Sequence, residues 1–417
     1  MRKILCALLT LLAVLALAGP PGPAMAQVPE VATTTGPFTV HTSSRVNGPA
    51  GVVLGPDGNL WFTNHYSHRI GRLTPSTGAI RTFTDPGING PNGLTVGPDG
   101  ALWFVNQSGD SIGRITTAGV VSTFPAGGID YPVDITAGPD GFLWFTSADS
   151  DSIGRVSTSG SIDLYTHAQI DNPKGITTGP DGAVWFTSAD SNRIGRIDTA
   201  TFQITMSGVG NINGPAGITS AFGKLWFTNY YGGSIGVLDP GTGIVSAFAP
   251  AVGTLEGPYG ITTAADGNLW ITELNNNRII RVDPVNHTFQ PVPVPVSVVN
   301  GFAYDLVPSG GSMWLGAFGA NSLVRYHLPR CEGRVVRVFA FEGDQPTAGP
   351  DAMLGTPGAD VLRGGEGNDR ICGAGGADRL VGGAGDDRLF GGLARDTCRG
   401  GNGADRARRC ETVIGVP

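Results

Sequence analysis

The sequence predicts an all-β protein, a seven-bladed β-propeller with a C-terminal parallel β-roll tail. Three observations lead there. The seven tryptophans, Trp61, Trp103, Trp144, Trp185, Trp226, Trp270 and Trp314, follow one another at intervals of 42, 41, 41, 41, 44 and 44 residues. A fixed period of ~40–45 residues is that of a four-stranded propeller blade. Each tryptophan sits in an intact or degraded copy of GPDGNLWFT, which occupies residues 55–63. After the last copy a second period begins, of nine residues, with aspartate at the sixth place of every repeat.

Composition bounds the rest. The 417 residues include 66 Gly and 30 Pro, as expected for many tight turns between short strands. A formal net charge of −7 gives no reason to expect nucleic acid as a partner. Residues 1–26 read as a signal peptide: Arg2 and Lys3 precede an apolar run from Ile4 to Ala18, and Ala24-Met25-Ala26 supplies an A-x-A cleavage site. That run is shorter than the ~20 residues a spanning helix needs. The expectation is a secreted, extracellular monomer with no membrane span. Export leaves Cys331, Cys372, Cys398 and Cys410, hence two disulfides with three possible connectivities. Cys331–Cys372 with Cys398–Cys410 is the expected pairing.

Within a blade the strands are short and punctuated. In the first, residues 50–54 form an apolar inner strand, Pro56-Asp57-Gly58 is turn chemistry, and residues 60–63 form the second strand. Residues 69–73 (RIGRL) and 78–83 (GAIRTF) supply the third and outer strands. The recurring tryptophan is read as core, wedged between neighbouring blades. The last blade lacks its outer strand, and an orphan copy stands before the first, at residues 36–40 (GPFTV). That N-terminal strand is expected to complete blade seven and close the ring, giving a propeller over residues 34–329. Residues 330–354 read as a linker.

The tail, residues 355–410, divides into GTPGADVLR, GGEGNDRIC, GAGGADRLV, GGAGDDRLF, GGLARDTCR and GGNGADRAR. This resembles the RTX, or hemolysin-type, calcium-binding nonapeptide G-G-x-G-x-D-x-U-x. Calcium takes six to eight oxygens at ~2.3–2.6 Å, from carboxylates and carbonyls. If two nonads make one coil, residues eighteen apart stack at ~4.8 Å. Asp360, Asp378 and Asp396 then line one edge, Asp369, Asp387 and Asp405 the other, and about four calcium ions relieve their repulsion. The last turns, where Ala394 replaces a Gly, are expected to bind least. Arg370, Arg388 and Arg406 would form a like-charge ladder, which suggests an anionic cell-surface polymer as a partner of the Arg-rich roll.

The propeller repeat, with GPxGI, GPDGxLWFT and xxIGRI, resembles the streptogramin B lyase (virginiamycin B lyase) family over about 290 residues of this chain. Active members open a cyclic depsipeptide by C–O elimination, using magnesium with a glutamate ligand and a histidine base. The resemblance makes Glu273 the candidate ligand of Mg2+ or Ca2+ in the propeller channel. Where the family's active blade carries Glu-x-His, this chain has Glu273-Leu274-Asn275. His65, in the corresponding loop of blade one, is the remaining candidate base. The positions three residues after each tryptophan are Asn64, Asn106, Ser147, Ser188, Asn229, Glu273 and Ala317, and Asp134, Asp305 and Glu256 lie near the inner-strand entrances. Two functions follow. One is a binding module for a small molecule or polymer at the propeller mouth. The other is a metal-dependent lyase, or lactonase-type hydrolase, acting on a cyclic ester with Glu273 and His65 as catalytic groups.

Overall fold

Seven antiparallel sheets follow one another around a closed ring in the computed structural model. It describes residues 31–207, 210–250, 255–276, 278–294, 303–309, 311–331, 334–336, 338–339, 346–356 and 358–416. The expected signal peptide lies outside the described residues. Blade one consists of Pro49–Leu54, Leu60–Asn64, Arg69–Leu73 and Ile80–Phe83, and the next five repeat that order. In blade seven Ala303–Ser309, Ser312–Ala317 and Ser322–His327 are joined by Phe38–Thr42, with Phe38 opposite Tyr326. Val31–Thr35 adds a further antiparallel strand outside it. Blade seven is therefore built from both ends of the propeller segment, which leaves the ring without an open end.

The tryptophans hold the ring together sideways. Trp61 packs against Leu94, Leu102 and Phe104 of blade two, and Trp314 against Val52, Leu60 and Phe62 of blade one. The five between them do the same, so each apolar cluster is shared by two blades. The indole N–H needs an acceptor in this interior. In blade one it donates to Asp57 Oδ1 at 3.0 Å, and Asp57 in turn faces Arg72 at 3.6 Å. Asp99 with Arg114, Asp181 with Arg196 and Asp266 with Arg281 repeat this arrangement. Burial pushes the Asp57 carboxyl up, but the bonds from Trp61 and Asn59 and the Arg72 charge outweigh it, and its pKa falls below the ordinary value. The motif GPDGxLW thus encodes a turn, a buried indole and its acceptor together. Its first Gly is required by close approach: a Cβ on Gly55 would stand 2.5 Å from the Trp61 ring.

A threonine two residues after the tryptophan links inner strands. The Thr146 hydroxyl accepts the Asp134 N–H at 3.1 Å and donates to the Lys174 carbonyl of the next blade at 2.7 Å. Thr187 and Thr228 do likewise, reaching Ala216 and Tyr259. Each inner strand carries a register shift at this point, between Pro132 and Ile135 in blade three, for example. Such a bulge frees an N–H for a side-chain partner.

The tail is built of two parallel sheets, one of Val338–Phe339, Ala352–Leu354, Arg370–Ala374, Arg388–Gly392 and Arg406–Arg408. The other comprises Val361–Glu366, Arg379–Ala384, Thr397–Asn402 and Thr412–Ile414. Met353, Leu362, Ile371, Leu380, Leu389 and Cys398 fill the space between them. These are the eighth places of successive nonads, and the first shows that the solenoid begins inside the stretch read as linker. Residues 346–354 form an extra nonad, with Gly349, Asp351 and Met353 at its fourth, sixth and eighth places. Its sequence, PTAGPDAML, hides the repeat because both opening glycines are replaced. Cys331 is bonded to Cys372 and Cys398 to Cys410, with Cα separations of 5.8 and 5.9 Å. The first joins the strand leaving the propeller to the solenoid.

Candidate functional site

The inner strands of all seven blades converge on a central cavity of about 370 Å³. At the glycine position of GPxGI five blades carry Gly51, Gly93, Gly175, Gly217 and Gly260, and two carry Asp134 and Asp305. Those two carboxylates line the cavity together with His65, Tyr66, Lys174 and Phe318. Asp134 accepts the N–H of Ile135 at 2.8 Å and, across the blade boundary, that of Ile176 at 3.1 Å. Asp305 accepts Leu306 at 2.8 Å and Val52, across the ring closure, at 3.1 Å. Burial pushes Asp134 up to about 6, against the pull of these N–H groups. Burial, with the negative charge of Asp134 adding to it, pushes Asp305 up to about 7. Lys174 is held below its ordinary value by burial, with Asp190 and Asp149 opposing.

His65 reaches this cavity, its ring against Tyr66 and Phe318 at centroid distances of 5.3 and 5.9 Å. Burial lowers its pKa, while bonds to the backbone at Pro91 and Gly90 pull the other way. The other described histidines have structural partners: His68 accepts the Gly90 N–H and His167 that of Gln169, His327 bonds Thr39, His41 stacks on Trp314 and His287 on Phe248.

Glu273 is not among the cavity-lining residues. It is buried, it accepts the Glu256 N–H, and it forms an ion pair with Arg278 directly opposite on the third strand. Arg278 Nη2 lies 3.1 Å from its second oxygen. The equivalent side chains explain why. Asn64, Asn106, Ser147 and Ser188 each accept a backbone N–H seventeen residues earlier, and Asn229 one sixteen earlier. Asn106 and Asn229 also donate to Ser111 and Ser234 on the third strand. Glu273–Arg278 is blade six's charged version of that Asn–Ser latch. A magnesium ion does not fit here. Both carboxylate oxygens are engaged, one by Arg278 and the other by Arg278 and the Glu256 N–H.

The roll carboxylates are different. Each stacks on the next at the expected interval. Asp360 N–H donates to Asp378 Oδ1, Asp369 to Asp387, Asp378 to Asp396 and Asp387 to Asp405, all at 2.9 Å and eighteen residues apart. The second oxygens of Asp369, Asp378, Asp387, Asp396 and Asp405 are buried and have no hydrogen-bond partner. Each faces the first Gly of its own nonad, where a side chain would collide with it: a Cβ at Gly364 would meet the Asp369 carboxyl and the Gly382 carbonyl of the next turn. Burial first, then the neighbouring carboxylates, raise Asp387 to about 6. Unpaired buried anionic oxygens beside carbonyls are a donor set suited to Ca2+, which takes much of its shell from carbonyls. At the N-terminal end the need disappears. Thr356 donates its N–H and its hydroxyl to Asp360 Oδ2, and Thr347 does the same for Asp351. The self-satisfied turns are thus the first ones, not the last; Asp396 and Asp405 at the far end keep an open oxygen.

Fold and turns together define a calcium-binding propeller protein. The comparisons place it further. The virginiamycin B lyase family model matches residues 25–201 and 166–350, and the RTX calcium-binding nonapeptide repeat matches residues 347–380 and 373–407. The chain belongs to the virginiamycin B lyase family. No curated protein sequence matches it. Selenomethionine-substituted virginiamycin B lyase from Staphylococcus aureus is 28% identical over 70% of this chain and 100% of its own, with a TM-score of 0.64. A catalytically inactive histidine-to-alanine variant of that enzyme, with quinupristin, is 28% identical over 70% and 99%, with a TM-score of 0.65. A streptogramin B lyase structure is 29% identical over 69% and 96%, with a TM-score of 0.62. RTX repeats and two disulfides fit an extracellular protein, and no described helix is long and apolar enough to cross a membrane.

Proposed function

We propose that this is a secreted calcium-binding protein whose propeller serves as a ligand-binding module, receiving a small molecule or a polymer segment at the tunnel mouth. One observation carries the reading: Glu273, the carboxylate expected to hold a catalytic metal, is spent on Arg278 and the Glu256 N–H, and Asn275 stands two residues on. The tunnel supports binding instead. It offers aromatic walls at Tyr66, Tyr131, Tyr259 and Phe318, with ionisable groups at Lys174, Asp134 and Asp305, the mixture typical of ligand sites. Chromatography of quinupristin incubated with the protein and magnesium tests it. Unchanged quinupristin is expected. A ring-opened product that disappears with Glu273→Gln would overturn the proposal. N-terminal sequencing of the exported protein, with a start after Ala26 expected, tests secretion.

A second reading, a metal-dependent lyase or hydrolase of a cyclic ester, has His65 in its favour. Its ring lines the cavity and its lowered pKa keeps it in the basic form at neutral pH. Against it, Glu273 lies outside the cavity that His65 lines. Loss of turnover in His65→Ala, with ligand affinity kept, would establish this reading.

A further inference from the structure

We propose that the calcium-loaded roll is a docking surface for a linear polyanion of phosphodiester type, gripped by arginines on both sheet faces. The inference rests on calcium occupying the turns. In each nonad the sixth-place aspartate turns inward and the seventh and ninth places point out of the sheet. On one face Val361, Arg379 and Thr397 are in register, as are Arg363, Val381 and Arg399. Arg363, Arg379 and Arg399 therefore zigzag across three neighbouring strands, with ~4.8 Å between strands and ~6.6 Å between the two rows. On the other face Arg370, Arg388 and Arg406 lie directly beside one another, with Arg408 next to the last.

Six of these arginines have little to neutralise them within the fold. Arg363, Arg379, Arg388, Arg399, Arg406 and Arg408 are exposed, and among the described residues none of the six forms an ion pair. Every described propeller arginine in the repeated third-strand position, by contrast, meets a carboxylate or a serine: Arg72, Arg114, Arg155, Arg196, Arg281 and Arg325. The difference is not one of supply. Residues 355–410 hold nine Arg and eight acidic side chains, but Asp369, Asp378, Asp387, Asp396 and Asp405 are buried in the turns. The acids face the cation and the arginines face solvent. Each calcium adds two positive charges to a segment that is nearly neutral without it, so loading the turns switches on the field of the faces. Like charges in register at strand spacing are unfavourable without a counter-anion. A chain of regularly spaced phosphodiesters supplies one at each step, and Arg is suited to bidentate phosphate contacts.

The test uses full-length protein on immobilised poly(glycerol phosphate), with calcium, with chelator, and across a salt series. Arg363→Gln/Arg379→Gln/Arg399→Gln is the face variant, and its calcium uptake is measured separately by calorimetry. Expected is retention that needs calcium and falls with salt, and that the variant weakens roughly 100-fold, about fivefold per arginine, while calcium uptake stays unchanged. Retention that persists with calcium present when the face variant is combined with Arg388→Gln/Arg406→Gln/Arg408→Gln would mean calcium bridging between carboxylates and polymer, and would overturn the proposal. So would retention indifferent to salt. Absence of calcium uptake by the wild-type protein would instead defeat the underlying calcium reading.

Discussion

Asp305 of blade seven accepts the backbone N–H of Val52 in blade one at 3.1 Å. One carboxylate thereby ties the last inner strand to the first, and it does so beside a second carboxylate, Asp134, whose charge it feels. Ring closure, tunnel electrostatics and pH sensitivity meet in this contact.

The pH dependence follows from the sign of the shift. Asp305 is raised from 3.8 to about 7 and Asp134 from 3.8 to about 6. Between those limits the folded propeller keeps protons that the unfolded chain has released. Their contribution is therefore full below about pH 4 and is lost as pH rises through 6 and 7. Thermal unfolding at pH 5 and pH 8 should show the wild-type propeller losing several degrees more than Asp305→Asn over that interval. Parallel losses in both proteins would refute it.

Glu273 should behave as a structural latch. Glu273→Ala removes the partner of the half-buried Arg278 and orphans the Glu256 N–H, a cost of about 1–3 kcal/mol. Restoring the pattern of blade two with Glu273→Asn/Arg278→Ser should recover most of it. Urea unfolding with the double-mutant cycle measures both.

The sheet interiors trade volume in register. Phe62 lies over Gly71, whereas blade six pairs Ile271 with Ile280. Ile271→Phe alone should destabilise by about 1–3 kcal/mol through overpacking. Adding Ile280→Gly makes room for the ring, and denaturant midpoints should show the recovery. Two additive losses would contradict this pairing.

Calcium stoichiometry should track the open oxygens. Titration calorimetry is expected to find about five sites, one for each unpartnered aspartate oxygen in the roll. Asp387→Asn should remove one. Asp351→Asn and Asp360→Asn should leave the count unchanged, because Thr347 and Thr356 already occupy those carboxylates. Thr356→Gly frees the Asp360 oxygen and is expected to add a site.

The architecture was legible because both repeats are periodic. Seven tryptophans count seven blades, and six aspartates at one place in nine count the nonads of a roll. Where the repeat was degraded, legibility failed: PTAGPDAML keeps only three of its marker positions, so the first turn passed for linker. Glu273 misled for a related reason. It is the one acid among three amides, two hydroxyls and an alanine at its place in the repeat, and difference from the repeat looks like function. Arg278, five residues on, is visible in the sequence, but only the strand register places it opposite Glu273.

The sequence alone determined what a single repeat must contain to pack against its own copy: a turn, a buried indole with its carboxylate acceptor, a small residue under a large one. Local spacing suffices for that. Only the tertiary structure decided what residues far apart do to each other. Asp134 and Asp305 come from blades three and seven, and nothing in either repeat announces that they face one cavity and that the charge of Asp134 helps raise the pKa of Asp305. Electrostatic and hydrogen-bond energies depend on distance in space, and a linear period specifies that distance only within the repeat.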